Sequence, residues 1–222
     1  MLTYAIGDIH GEFFSLVNLL KLIEEDKTQQ IGNDPARIIF LGDYVDRGLK
    51  SKSVVSTLMS EPLKSHNFEQ ITLKGNHESM MIDALENNRR GLIPPRTIWL
   101  GNGGVTTLNS YNDVIPKSHY EFLKSLRTYF IDGEWIFVHG GVSLTTPIEE
   151  QSEDVLLWAR MTETSAPDYN YRIVHGHTPH RTPKVYPLRI NVDTGAFMNR
   201  PLTAVVIDTA LPKEQDVRFL QF

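Results

Sequence analysis

The sequence predicts an α/β protein with two packed sheets and covering helices, an α+β variant of that class. Three observations carry the prediction. Residues 4 to 73 alternate in the order β-α-β-α-β, which calls for a sheet with parallel strands covered by helices. Residues 87–127 form a mainly helical insertion, and everything after residue 129 is strand-rich with Pro and Gly punctuation. Helices early and strands late favour two packed sheets over one.

The apolar run at residues 4–6 ends in Gly7-Asp8-Ile9-His10-Gly11. Residues 12–25 then place Phe13, Leu16, Val17, Leu20 and Ile23 at helical spacing, and residues 27–35 are polar with Gly, Asn, Asp and Pro, which predicts a loop. A strand over 37–41 runs into Gly42-Asp43-Tyr44-Val45-Asp46-Arg47-Gly48, followed by a helix over 51–59 that Pro62 terminates. The strand over 69–73 runs into Gly75-Asn76-His77-Glu78, after which Met80, Met81, Ala84 and Leu85 continue as a helix. Two short helices are expected over 101–111 and 116–127. Asp132-Gly133 between apolar runs reads as a hairpin. The last strands are expected over 172–174, 184–192, 202–208 and 217–220. The strand at 136–138 ends in His139-Gly140-Gly141, and the strand at 173–174 in His175-Gly176-His177-Thr178.

At 222 residues the chain is long enough for one domain with a sizeable core, expected over 1–222 with the helical insertion inside it. A net charge of -5 gives no basic footprint, so a nucleic-acid polymer is not an expected partner. There is no cysteine, which excludes thiolate nucleophiles, disulfides and thiolate-held zinc. No secretory signal and no bilayer-length apolar run is visible, so a cytoplasmic location away from membranes is expected.

Five strand ends thus carry carboxylate, amide or imidazole groups, and ligands of open α/β sheets gather beyond the carboxyl ends of strands. Asp8 and His10, two residues apart, are expected to face the same way and bind one metal ion. Asp43 is the candidate for a carboxylate bridging two ions, with Asn76, His139 and His177 completing the second. Such a mixed donor set suits manganese, iron or zinc better than calcium or magnesium. Two ions can hold a bridging hydroxide for direct in-line attack on phosphorus, with no covalent intermediate. The leaving alkoxide then needs a proton. His77 is placed to supply it, Asp46 to hold the imidazole, and Arg47 to fork onto phosphoryl oxygens.

In order and spacing these blocks resemble the phosphoprotein phosphatase (PPP-type serine/threonine phosphatase) family of the metallophosphoesterase superfamily. The closer likeness is to the small bacterial and phage branch that includes lambda phosphatase. The resemblance spans residues 7 to 178 and implies a β-sandwich of two mixed sheets flanked by helices. It implies Asp8, His10 and Asp43 on one ion, and Asp43, Asn76, His139 and His177 on the other. It selects His177 over His175, makes Asp46 and His77 the acid pair, and turns Arg47, Asn76 and Arg160 toward phosphate. Arg160 at the end of Leu156-Leu157-Trp158-Ala159 matches the family pattern for a second arginine, although a solvated helix end explains it almost as well.

The expected activity is hydrolysis of phosphoserine and phosphothreonine in proteins, with phosphotyrosine also admitted, on two divalent ions with manganese first. No regulatory subunit is evident. The alternatives are a diadenosine polyphosphate or other nucleotide phosphohydrolase and, ranked lower, a non-catalytic module that binds phosphorylated partners. His66, His119 and His180 are expected at the surface, and His175 beside the ligands or in packing. Trp99, Trp135 and Trp158 are expected in packing, residues 191–195 as a structural turn, and Arg89, Arg90 and Arg96 as a solvated cluster.

Overall fold

The computed structural model describes residues 1–88, 91–162, 170–212 and 217–222. Arg89 and Arg90 lie outside the described residues. One five-stranded sheet contains β1 (Leu2–Ile6), β2 (Ala36–Phe40), β3 (Phe68–Thr72), β9 (Thr203–Asp208) and β10 (Arg218–Gln221), in the order β10-β9-β1-β2-β3. The other contains β4 (Tyr129–Asp132), β5 (Trp135–Val138), β6 (Arg172–His175), β7 (Lys184–Val185) and β8 (Arg189–Asn191), in the order β4-β5-β6-β8-β7. Both sheets are mixed. β1, β2 and β3 run parallel, as do β5, β6 and β8, and the flanking strands are antiparallel.

Register explains why the strands read as continuous apolar runs instead of alternating ones. In the first sheet Phe219, Val205, Ala5, Ile39 and Ile71 stand in one row across five strands. That row faces a matching row of the second sheet, Phe130, Phe137, Val174 and Ile190, and the two form one buried cluster with Trp135, Leu41 and Val192. The alternate positions Tyr4, Ile6, Ile38 and Phe40 point the other way, into a core made with the helices. With both faces covered, β1 and β2 are apolar on both sides from Tyr4 to Ile6 and from Ile38 to Phe40, and polar residues such as Thr3 and Arg37 stand nearer the strand starts. Each fully buried aliphatic side chain in these layers contributes roughly 1.5–3 kcal/mol.

Five helices cover the first sheet's outer face and its edge: α1 (Phe13–Ile31), α2 (Ser51–Met59), α3 (Asn76–Glu86), α5 (Val105–Ser110) and α6 (Lys117–Lys124). Between α3 and α5 lies a short helix, α4 (Pro95–Trp99), which continues through one π-helical turn at Leu100–Gly104. On the second sheet, α7 (Glu153–Trp158) packs Leu156 against Ile136, Val138 and Ile173.

Several boundaries differ from expectation for identifiable reasons. The first helix does not end near residue 25 but runs to Ile31, so residues 27–31 are helical, not loop. Lys27 is buried there, with its ammonium 5.8 Å from the centre of the Phe68 ring; its stem substitutes for an apolar residue between Ile23 and Ile31. Gly32, at φ 59°, closes the helix. Residues 184–192 form two antiparallel strands, not one.

The parallel triplets fix where the donor residues meet. Six carboxyl ends, those of β1, β2, β3, β5, β6 and β8, deliver their loops to the same edge of the sandwich, and the donor residues sit in those loops.

Candidate metal centre

Loops 8–11 and 43–45 are bound face to face. The backbone N–H groups of Ile9 and His10 donate to the Asp43 carbonyl, and Gly11 N–H to that of Tyr44. The price of bringing side chains to one point is left-handed backbone at non-glycine residues, with φ 45° at His10, 55° at Asp43 and 63° at His177. His10 is therefore not on an extended strand end, as the two-residue spacing suggests; it is turned inward by a tight loop. Gly176 must be glycine for a related reason, since a Cβ there would lie 2.1 Å from Oδ1 of Asp8.

Asp43 occupies the middle. Its Oδ2 lies 3.4 Å from Nε2 of His10, and its Oδ1 lies 3.4 Å from Nε2 of His139. Two clusters of potential metal donors share it, one with His10 and His77, the other with His139 and His177, and all these residues are buried. Asn76 belongs to the second cluster, with Oδ1 at 2.8 Å from His139 Nε2 and 3.0 Å from His177 Nδ1. Asp8 is held beside them, where both its oxygens accept from the His177 backbone N–H at 3.2 Å.

The chemistry of this donor set fits two divalent ions. Nδ1–H of His10 donates to the Val45 carbonyl at 2.8 Å, and Nδ1–H of His139 to the Leu41 carbonyl at 3.2 Å. Each bond leaves Nε2 turned toward Asp43, the arrangement that metal-ligating histidines adopt. His10 and Asp43 could hold one ion, and Asp43, Asn76, His139 and His177 the other; Asp8, expected on the first ion, is bonded here to the backbone of His177.

The charges reflect the same crowding. Burial and the neighbouring carboxylate of Asp193 raise Asp8 well above the usual carboxylate range. Burial opposes ionisation of Asp43, yet the imidazoles of His139 and His77 hold it well below that range. Burial alone would lower His139, but Asp43 and Asp8 push it up to about 9. Burial and the charge on His139 bring His177 down to about 3.

Beside the donors, Nδ1 of His77 lies 2.7 Å from Oδ2 of Asp46. Arg47 sets Nη1 on Nε2 of His10 at 2.8 Å and Nη2 on Nε2 of His77 at 3.0 Å, and its guanidinium stacks 4.4 Å from the Phe197 ring centre. Arg160 is exposed and lies past the end of α7; its charge acts on His177. His175 stays out of both donor clusters, and its Nε2 accepts from Arg189 Nη1 at 3.1 Å.

Several residues take roles the sequence reading did not give them. Glu78 is fully buried, and its two carboxylate oxygens accept from the backbone N–H groups of Asp43, Tyr44, Val45 and Gly75 at 2.8–3.2 Å. Its place three residues after Gly75, at the head of α3, is the signal of a capping acid, and here that acid also clamps the Asp43 loop. Asp193 holds the expected structural turn, with its Oδ1 accepting from Gly195 N–H at 2.9 Å, but it is also buried, and the two carboxylates, its own and that of Asp8, act on each other. The signal was partial: Asp193 comes just after β8 as Asp8 comes just after β1, but Asn191 interrupts the apolar run between Ile190 and Val192. Trp99 and Trp135 are buried as expected, but Trp158 is 43% exposed, with its ring 6.0 Å from that of His177. His66 is exposed, while His119 and His180 are half-buried instead of fully at the surface.

Comparison with known proteins agrees with this geometry. The family model for calcineurin-like phosphoesterases matches residues 1–202. The asymmetrical bis(5'-nucleosyl)-tetraphosphatase PrpE of Anoxybacillus flavithermus is 27% identical over 227 residues, covering 90% of this chain and 88% of its own. The serine/threonine-protein phosphatase 2B catalytic subunit A2 of Saccharomyces cerevisiae is 32% identical over 140 residues, 62% of this chain but 19% of that protein. A crystal structure of a putative diadenosine tetraphosphatase superposes with TM-score 0.65 at 20% identity, covering 99% of this chain and 93% of that one, which shows the shared fold. The chain belongs to the calcineurin-like phosphoesterase family.

Proposed function

We propose that the protein is a metal-dependent phosphomonoesterase that removes phosphate from phosphoserine and phosphothreonine side chains in proteins. The observation that carries this reading is the buried pair His77–Asp46, joined at 2.7 Å at the edge of the donor clusters. A serine or threonine alkoxide is a poor leaving group, and an oriented imidazole removes that barrier by giving it a proton.

When bound, two divalent ions supply Lewis acidity and lower the pKa of water; manganese is the ion we propose, with iron or zinc as alternatives. The chain's own residues do the rest. Arg47, whose Nη1 and Nη2 rest on Nε2 of His10 and of His77 in this structure, would turn that planar fork to two phosphoryl oxygens, with the ring of Phe197 stacked on the guanidinium. Asn76 and Arg160 complete the phosphate contacts in this proposal. Nε2 of His77 accepts from Arg47 Nη2 in this structure; once that arginine turns to phosphate, Nε2 is free to take up a proton and give it to the departing oxygen, while Nδ1–H stays on Asp46. Water attacks phosphorus from the opposite side, the P–O bond to the alkoxide breaks, and inorganic phosphate and the free hydroxyl leave.

A second reading has its own support. The tetraphosphatase relative matches 88% of its own length, whereas the protein phosphatase relative matches only part of a much longer chain. Hydrolysis of a dinucleoside polyphosphate would use the same donors and Arg47, but its phosphate leaving group needs a proton far less. A panel of phosphopeptides and dinucleoside polyphosphates tests the proposal: faster turnover of phosphothreonine peptides supports it, and faster turnover of the nucleotides replaces it with the second reading.

A further inference from the structure

Asp46 is held by a part of the chain that supplies no metal donor. Its Oδ1 accepts from Thr107 Oγ1 at 2.7 Å and from Trp99 Nε1 at 2.9 Å, and its Oδ2 lies 3.1 Å from that same Nε1 and 2.7 Å from His77 Nδ1. Asp46, Trp99 and Thr107 are completely buried, and His77 is 1% exposed. Trp99 ends α4 and Thr107 lies in α5, on either side of the π-helical turn.

The backbone points to the same helices. Asp46 and Arg47 are consecutive non-glycine residues in left-handed conformation, at φ 72° and 67°, a pairing that strains the chain. The helical segment answers that strain. Asp46 N–H donates to Thr107 Oγ1 at 2.8 Å, and Arg47 N–H to the Gly103 carbonyl at 3.3 Å. Gly103 itself has φ 105°, and a Cβ there would lie 2.8 Å from the Arg47 nitrogen. Thr107 thus donates to the carboxylate of Asp46 and accepts from its backbone, while Ser51 shares its hydroxyl at 3.0 Å.

We propose that Trp99 and Thr107 are positioning residues for proton delivery: they fix the Asp46 carboxylate and, through it, the His77 ring, so that the helical segment 95–110 sets the geometry of the acid. A tryptophan needed only for packing would not have to aim Nε1 at both oxygens of one buried carboxylate. Neither residue touches the donor atoms of the metal centre. The inference rests on the reading of His77 as the proton donor.

It makes a demand that a structural role would not. Misplacing the acid slows only reactions that need it, so the loss should grow as the leaving group becomes poorer. The experiment compares Trp99→Phe, Thr107→Val and Thr107→Ser with the manganese-loaded full-length protein, on p-nitrophenyl phosphate (a good leaving group) and phenyl phosphate (a poor one). Metal content per chain and melting temperature are measured alongside. For Thr107→Val and Trp99→Phe, kcat on phenyl phosphate should fall about 10- to 100-fold with KM unchanged, and kcat on p-nitrophenyl phosphate should fall far less. Metal content should stay at the unsubstituted level. Thr107→Ser, which keeps the hydroxyl, should recover most of the loss.

Equal losses on both esters, equal losses in the valine and serine variants, or no loss at all would overturn the proposal. If Trp99→Phe fails to fold, the Thr107 pair decides the matter alone. A His77→Asn enzyme without leaving-group dependence would also overturn it, by removing the acid on which it rests. Hydrolysis of both aryl esters but not of phosphopeptides would instead sink the protein phosphatase reading and leave this inference standing.

Discussion

Nε2 of His139 lies 3.4 Å from Oδ1 of Asp43, and each group favours the charged form of the other. In the metal-free chain His139 is pushed up to about 9, against about 6.5 for an unfolded chain. The folded value lies above the unfolded one. The stability this charge contributes is therefore complete below about pH 6.5 and is lost as pH rises through about 9. A metal ion needs the Nε2 lone pair, so loading must displace that proton. Titration calorimetry near pH 7.5, in two buffers of different ionisation enthalpy, should show proton release on manganese binding, and apparent affinity should rise with pH up to about 9. Buffer-independent heats would contradict this assignment of the His139 proton.

Asp43 is the only donor shared by the two clusters among the described residues. Asp43→Asn should therefore lower metal content at both positions, whereas Asp8→Asn should weaken chiefly the position of His10. Elemental analysis after gel filtration reads both. The thermal stabilisation that excess manganese gives the unsubstituted chain, about 2.7 kcal/mol at a hundredfold excess over Kd, should be largely absent in Asp43→Asn.

His77→Asn should leave metal content intact and lower turnover of phosphothreonine peptides by about 10²–10⁴. Asp46→Asn should act in the same direction, because it leaves Nδ1 of His77 without a carboxylate partner at 2.7 Å. Steady-state kinetics on metal-loaded protein check both. Unchanged turnover in His77→Asn would remove this residue from the proton-donor role.

Glu78→Gln preserves shape but turns an amide NH₂ toward backbone N–H groups that now have a carboxylate oxygen. Each buried donor left without an acceptor costs about 1–3 kcal/mol. The variant should melt at a clearly lower temperature and bind metal more weakly, since the clamp holds the loop of Asp43. Burial and the charge of Asp43 push Glu78 up to about 7, so the four N–H bonds work against a real desolvation cost.

That His10, Asp43, His139 and His177 cluster was legible because one local rule produced them: an apolar run ending in a glycine beside a carboxylate or imidazole. Parallel strands then place such endings at one edge whatever lies between them. The two-sheet architecture was legible from the order of helices and strands. Asp193 departs from that rule, since Asn191 interrupts its run and Gly195 stands two residues on, and a turn-forming Asp-Thr-Gly offered an adequate local explanation. The contacts of Trp99 and Thr107 were not legible, since they join positions 53 and 61 residues away from Asp46 through helices whose packing no local pattern specifies. The length of α1 escaped because a lysine stood where periodicity asks for an apolar residue, and only Phe68 in the folded sheet accounts for its burial.

An acid-assisted, two-metal centre that works on phosphoproteins is the activity proposed for this chain. The most direct test is phosphate release from a phosphothreonine peptide and from diadenosine tetraphosphate, measured side by side after chelation and refilling with manganese. The protein should lose activity on chelation, recover it with manganese, and turn over the peptide faster than the dinucleotide. Faster cleavage of the dinucleotide would contradict the proposed substrate, and manganese-loaded protein that released phosphate from neither would contradict the enzyme itself.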